Sequence, residues 1–424
     1  MHHFLYKNGI MHAEAVNVHA IAKSVGTPFY CYSTATLERH YHVFKQEFRD
    51  TDSLVCFAVK VNSNQAVLQT LARLGAGMDI VSQGEMIRAL HAGVPAQKIV
   101  FSGVAKTEEE MAAALDVGIY CFNVESEPEL LSLSNVASSK NMKAPVALRV
   151  NPDVDAKTHA KISTGKSENK FGIPIARARD VYSLASRLSG IEIIGVDAHI
   201  GSQITELEPF DNAATKLGLL AEELQRDGHN LRHIDVGGGL GIPYRIDNAP
   251  PPTPAEYAAV IKHRLGSMKL KLIFEMGRLF AGNAGILVTK VVYVKEGEGK
   301  TFVIVDAGMN DLIRPTLYDA YHRVEPVCER TADVSFIKAD VVGPVCETGD
   351  YIALNRKMPT VQSGDLLAVM TAGAYGAVLS STYNTRRLIP EVLVSGDQFS
   401  VIRPRPSYEE LIQMDHIPPW LQEK

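Results

Sequence analysis

Between residues 54 and 277 the chain alternates short, nearly uninterrupted apolar runs with stretches in which apolar side chains recur every three or four positions. A short apolar run bounded by turn residues is the pattern of a strand buried on both faces, and the longer repeat is that of a helix packed on it. The runs are Leu54 to Lys60, Gly77 to Ser82, Lys98 to Ser102, Ile119 to Glu125, Pro145 to Asn151, Ile193 to His199, Leu231 to Val236 and Leu270 to Glu275. Eight β units separated by helices over roughly 250 residues predict an α/β fold of the (β/α)8 barrel type rather than an open sheet.

The intervening helices carry their own punctuation. Val67, Leu68, Leu71 and Leu74 share a face, and Gly75 supplies the left-handed residue that ends a helix. Thr107 with Glu110 predicts a capping box closed by Gly118; Ser126 with Glu129 repeats the device, with Pro128 in the first turn. Residues 152–175 break the rhythm with a long polar segment, for which two readings are open: a lid at the barrel rim, or a partly disordered surface excursion.

Past Asn283 the pattern changes to alternation with a period of two. Ile286 to Lys295, a turn at Gly297 and Gly299, and Thr301 to Val305 predict a β-hairpin. Ser335 to Val342, Asp365 to Met370 and Glu391 to Ile402 add further strands. The expected organisation is a barrel over 28–282 and an all-β domain over 283–424. Whether residues 1–27 add a strand or helix to the second domain stays open.

Composition narrows the function. A net charge of -5, with no block of basic residues, offers no field for nucleic acid or an anionic membrane and points to small-molecule chemistry. Five cysteines, odd in number and without C-x-x-C spacing, suggest neither a disulfide framework nor a metal site and suit a reducing cytoplasm. No signal-peptide core or membrane-length apolar run is present.

In a barrel of this type the active site is built at the carboxyl ends of the strands. The first run ends in Lys60, the sixth in His199-Ile-Gly201-Ser202, the seventh in Gly237, Gly238 and Gly239, and the eighth in Glu275-Met-Gly277-Arg278. A lysine at a buried strand end either snorkels to solvent or has its amine freed for imine chemistry by lost hydration. The three glycines either cradle a phosphate with their N–H groups or serve tight turns. Glu275 needs a cation, either a protonated ring nitrogen or Arg278; His199 is either a packed core residue or a stacking face. Together, amine, phosphate cradle, acid and flat ring are what pyridoxal phosphate requires.

The motifs Phe57-Ala-Val-Lys60-Val-Asn62, His199-Ile-Gly-Ser-Gln203, Asp235-Val-Gly-Gly-Gly-Leu-Gly241 and Glu275-Met-Gly-Arg278 resemble those of the barrel-fold (fold-type III) pyridoxal phosphate decarboxylases. The resemblance continues through Asp306-Ala-Gly-Met-Asn310, Arg314-Pro-Thr-Leu-Tyr318, Cys346-Glu-Thr-Gly-Asp350 and Ala374-Tyr375-Gly-Ala377, and is strongest to the branch acting on meso-diaminopimelate. Met276 stands where that family usually has proline. The resemblance implies that Lys60 is the Schiff-base lysine, His199 stacks on the cofactor ring and Glu275 faces its nitrogen. It also implies that Ser202, Gly237, Gly238, Gly239, Gly277 and Arg278 hold the phosphate region. By the same resemblance Arg278, Arg314, Tyr318 and Glu347 bind substrate, Tyr375 touches cofactor and substrate, and Cys346 donates a proton. An amino-acid substrate and a head-to-tail homodimer with shared active sites are implied with them. An ornithine- or arginine-type decarboxylase, a racemase on the same barrel and a non-catalytic cofactor-binding homologue are the competing expectations.

Overall fold

The computed structural model describes residues 2–162, 164–165, 169–330 and 335–422. The chain divides into two compact units, one formed by Thr36–Asn283 and the other by the residues up to Ala35 together with those from Ala284 onward.

In the first unit eight strands form a closed parallel barrel: Ser53–Ala58, Gly77–Ile80, Ile99–Phe101, Cys121–Val124, Ala144–Asn151, Ile191–Asp197, His233–Asp235 and Lys271–Met276. Each pairs with the next, and the eighth returns to the first, with Glu275 opposite Cys56. All eight expected runs are strands. The first is shorter than expected: it stops at Ala58, and Lys60 lies in the single 3-10 turn Val59–Val61 that follows.

Side chains two apart along a strand share a face. Cys56, Val100, Cys121, Ala147, Ile194 and Ile273 pack together as the apolar interior. One step further along their strands, Ser102, Asn123, Arg149 and Glu275 are buried and polar. Each strand thus runs from an apolar floor into a polar mouth. Outside, the helix Thr34–Glu47 packs Phe44 against Phe274 and Phe280, at ring separations of 5.3 and 5.9 Å.

Most caps form as the sequence signals. Thr107 and Glu110 make the full capping box, and Gly118 is left-handed. The second box is only half made. Ser126 accepts the Glu129 N–H, but the Glu129 carboxylate is drawn away to Lys106 and to the Glu125 N–H. A buried ammonium, at 2.7 Å, outbids a helix-terminal amide for the acid. The described part of 152–175 lies against the end of the sixth strand: Thr158 Oγ1 donates to Ser202 O, and Thr164 Oγ1 to His199 O.

In the second unit Gly285–Gly297 and Lys300–Val305 form the expected hairpin. The expected strand Glu391 to Ile402 is itself a hairpin, Glu391–Ser395 and Gln398–Arg403, because Gly396 turns the chain with φ +60°. Phe29–Ser33, inside the span expected for the barrel, is instead a strand of this sheet between Gly285–Gly297 and Glu391–Ser395. Five consecutive buried side chains make it a central strand of either kind of sheet; its partners, one antiparallel and one parallel and both distant in sequence, decide which. Phe29, Cys31, Ile286, Val288 and Val392 share a core with Val18 and Ile21 of the helix Val18–Val25. Among the described residues no helix is long and apolar enough to cross a membrane.

Two glycines test this packing. A Cβ on Gly77 would lie 2.4 Å from the Lys98 carbonyl oxygen and 2.8 Å from Cys56 Sγ. Gly77→Ala should destabilise the fold by about 1–3 kcal/mol through overpacking. A Cβ on the exposed Gly84, in the helix Gln83–His91, would meet nothing nearer than 3.8 Å. Gly84→Ala should therefore stabilise by up to about 1 kcal/mol. Urea midpoints of the two variants should move in opposite directions.

Candidate active site

At the end of the first barrel strand Lys60 Nζ sits 2.7 Å from Asp79 Oδ2. The Lys60 side chain is 35% exposed, whereas that of Asp79 is fully buried, so the pair joins an accessible amine to a fixed acceptor. Asp79 stands at the end of the second strand, a position the sequence motifs did not single out.

Glu275, on the eighth strand, is buried and receives two donors on the same oxygen. Ser102 Oγ lies 3.1 Å and Asn123 Nδ2 3.2 Å from Oε1. Asn123 also donates to Ser102 Oγ, tying the third and fourth strands to the eighth. No protein donor reaches Oε2 among the described residues. Asp197 and Asp235 are in register on neighbouring strands, and with Glu275 they bring carboxylate oxygens within 4.8 Å of one another. Burial first, then repulsion from Asp79, Asp235 and Asp197, pushes the Glu275 carboxyl well above the usual carboxylate range. Asp197 is raised likewise, and burial pushes Asp235 to about 7.

His199 follows the sixth strand. Its Nδ1 accepts the Gly238 N–H at 3.1 Å, which leaves Nε2 as the protonated nitrogen of a neutral ring. Burial, then Arg149 and Lys60, holds its pKa well below the ordinary histidine value. Arg149, also unsignalled by the motifs, donates to Glu125 Oε1 at 3.0 Å and to the His199 carbonyl at 3.4 Å. Glu125 additionally accepts the Gly103 N–H at 2.8 Å, so a buried ion pair frames the histidine.

The glycine turn engages part of its amide N–H groups within the protein. Gly237 N–H donates to Asp235 Oδ1 at 2.9 Å and Gly238 N–H to His199, so two of the three amides are engaged within the protein. Side chains are excluded by crowding. A Cβ on Gly238 would lie 2.1 Å from Glu275 O, and one on Gly239 would lie 2.3 Å from Gly201 O. A Cβ on Gly277 would meet Val61 Cγ2 at 2.3 Å. Beside the turn Arg278 donates to Ser202 Oγ from Nε at 3.3 Å and Nη2 at 3.0 Å, and to Tyr244 Oη from Nη1 at 2.7 Å. Tyr244 was not anticipated; it lies in an irregular segment with no periodic signal.

Lys60, His199, Ser202, Gly237, Gly238, Gly239, Glu275, Gly277 and Arg278 thus all belong to the barrel unit, at or just beyond strand ends. Arg314, Tyr318, Cys346, Glu347 and Tyr375 belong to the other unit. There Thr316 Oγ1, in the helix Arg314–Tyr318, donates to Gly349 O at 2.6 Å and holds that helix to the loop of Cys346 and Glu347. Asp350 fixes the loop by accepting the Met309 N–H and the Val345 N–H. Cys346 and Glu347 are exposed, and Tyr375 has a left-handed φ of +56°.

The family described as pyridoxal-dependent decarboxylase, pyridoxal binding domain, matches residues 34–282. The chain is 52% identical to diaminopimelate decarboxylase from Pseudomonas fluorescens over 417 residues, 98% of this chain and 99% of that one. It is 50% identical to the Haemophilus influenzae diaminopimelate decarboxylase over 412 residues, covering 97% and 98% of the two chains. Among solved structures it superposes on the M. jannaschii diaminopimelate decarboxylase in co-complex with L-lysine with a TM-score of 0.94 at 35% identity, over 99% and 98% of the chains.

The acidic cluster carries a pH signature. A carboxyl whose folded pKa is raised favours the fold while protonated, and that contribution is lost as pH rises through the folded value, here about 7 for Asp235. Asp235→Asn keeps the acceptor for Gly237 and cannot ionise. Its thermal midpoint should exceed that of the wild type at about pH 8 by more than at about pH 5. An equal difference at both pH values would show that Asp235 does not hold the proton.

Proposed function

The chain belongs to the diaminopimelate decarboxylase family of pyridoxal-dependent decarboxylases, and on that premise we propose that Lys60 is the residue to which its pyridoxal phosphate is anchored. Its activity is that of a carboxy-lyase: it removes one carboxylate of meso-2,6-diaminopimelate as CO2 and leaves L-lysine, in lysine biosynthesis. The barrel unit is then the cofactor-binding domain, and the residues before it join the C-terminal β domain.

The observation that carries the assignment is the pairing of an accessible amine, Lys60, with a buried acid, Glu275, whose protein donors both fall on one oxygen. These residues fit the cofactor: a carboxylate buried among other acids is ionised only against a cation, and Oε2 is the atom left to accept from a protonated ring nitrogen. When bound, pyridoxal phosphate would supply an electrophilic carbon for the substrate amine and an electron sink for the pair left on that substrate carbon when CO2 departs.

The chain's own residues set the conditions for that chemistry. Asp79 accepts from the Lys60 amine and orients it. Neutral His199, held through Nδ1, offers a ring face without adding a positive charge near the sink. Ser202, Arg278 and the glycine turn take the phosphate end, with Gly239 supplying the amide that Gly237 and Gly238 do not. Arg278, Arg314, Tyr318 and Glu347 bind the substrate, Tyr375 contacts both ligands, and Cys346 Sγ delivers a proton to the carbon that loses its carboxylate. At the substrate end remote from the chemistry stand a carboxylate and an ammonium; Arg314 offers a planar fork to the first and Glu347 a charge to the second. L-lysine retains both groups, whereas ornithine presented for decarboxylation carries only the ammonium there.

Cys346 and Glu347 are exposed and lie in the unit that does not carry Lys60. This supports a head-to-tail homodimer in which each site draws on both chains, working in the cytoplasm, where its free cysteines stay reduced.

Borohydride reduction and peptide mapping should place a pyridoxyl group on Lys60; a label on another lysine would remove the assignment. Mixing Lys60→Ala with Cys346→Ala chains should restore part of the activity. Exchange of subunits without restoration would mean that each chain builds its own site.

A further inference from the structure

Arg314 begins the short helix Arg314–Tyr318 and is 5% exposed. Eight residues on, His322 is fully buried. Arg314 Nη1 lies 2.8 Å from His322 Nε2, and His322 Nδ1 lies 2.9 Å from the Met370 carbonyl oxygen. A guanidinium only donates and a carbonyl only accepts. The proton of the ring is therefore on Nδ1, the lone pair that receives Arg314 is on Nε2, and the imidazole is neutral. The carbonyl is itself fixed, because Met370 directly follows the strand Leu366–Val369 and its N–H donates to Arg323 O at 2.8 Å. An unbroken chain of hydrogen bonds thus runs from the sheet through an imidazole to the guanidinium.

The choice of acceptor matters for recognition. A carboxylate in the place of His322 would hold the arginine as firmly, but it would bring a negative charge to compete with an incoming carboxylate. A neutral imidazole orients the fork without lending it a counter-charge. We propose that His322 is a positioning residue for substrate selection: it sets the plane of the Arg314 guanidinium for the distal carboxylate of diaminopimelate and of the product L-lysine. The inference rests on the reading of Arg314 as the distal-carboxylate arginine.

The test compares two ligands of the holoenzyme, L-lysine and 1,5-diaminopentane, which has the same chain and amines but lacks the carboxylate. Binding is followed through the cofactor's absorbance, with KM and kcat for diaminopimelate measured alongside. The wild type should prefer L-lysine. His322→Phe keeps the ring's shape and removes both nitrogens; it should weaken L-lysine about tenfold or more, leave 1,5-diaminopentane unchanged and raise KM more than it lowers kcat. His322→Gln, with a donor and an acceptor on one side chain, should recover part of the preference. Equal weakening of both ligands in His322→Phe would mark a merely structural role and overturn the inference, as would unchanged binding of both. Arg314→Ala separates the two levels of argument. If it abolishes the preference for L-lysine while His322→Phe retains it, only the role of His322 falls. If the preference survives Arg314→Ala, the reading of Arg314 falls, and the inference with it.

Discussion

The desolvation of charge inside a closed parallel barrel is the constraint on which the site depends. Closing the sheet leaves no edge and buries most of the polar side chains at the strand ends, so they must satisfy one another. Asp79, Asp197, Asp235 and Glu275 are all buried, with Arg149 acting on Asp197 and Lys60 on Glu275. Acids crowded in this way either take up protons or favour a cation placed among them. The mouth of the barrel is therefore an environment receptive to positive charge, and the proposed contact between Glu275 and a cationic ring nitrogen uses that property.

Rigidity comes from bonds that join the strand ends to one another. Ser102 and Asn123 connect the third and fourth strands to Glu275 on the eighth, and Glu125 with Arg149 connects the fourth and fifth to the backbone of His199. The glycine turn after the seventh strand closes onto the sixth through Gly238 and onto the eighth through Gly237 O, which accepts the Glu275 N–H at 2.8 Å. A site whose side chains are held by such partners loses little energy to reorganisation when charge moves within it.

The second unit solves a different problem, that of holding exposed reactive groups on loops. Asp350 collects backbone amides beneath the Cys346 loop, and a Cβ on Gly343 would lie 2.5 Å from its carboxylate, so the turn admits only glycine. Arg314 is fixed separately, through His322 and the carbonyl of Met370 just past the strand Leu366–Val369.

Periodicity alone determined the barrel, since a run such as Leu54 to Lys60 buries its apolar side chains in only a few ways, and eight such runs separated by helices close into one architecture. Residue chemistry at the strand ends identified Lys60, His199 and Glu275 as a set. Partner choice was not legible in the same way. Glu129 reads as a capping residue and binds Lys106; Gly237 and Gly238 read as open amides and bond to Asp235 and His199; Phe29–Ser33 reads as part of the barrel unit and pairs with Gly285–Gly297. Asn123, Arg149 and His322 carry no local signal, because each acts on a residue remote in sequence or set by the path of a loop. A sequence records which groups must leave water, while the tertiary structure decides which of them meet, because burial is a property of each side chain and pairing a property of the folded chain.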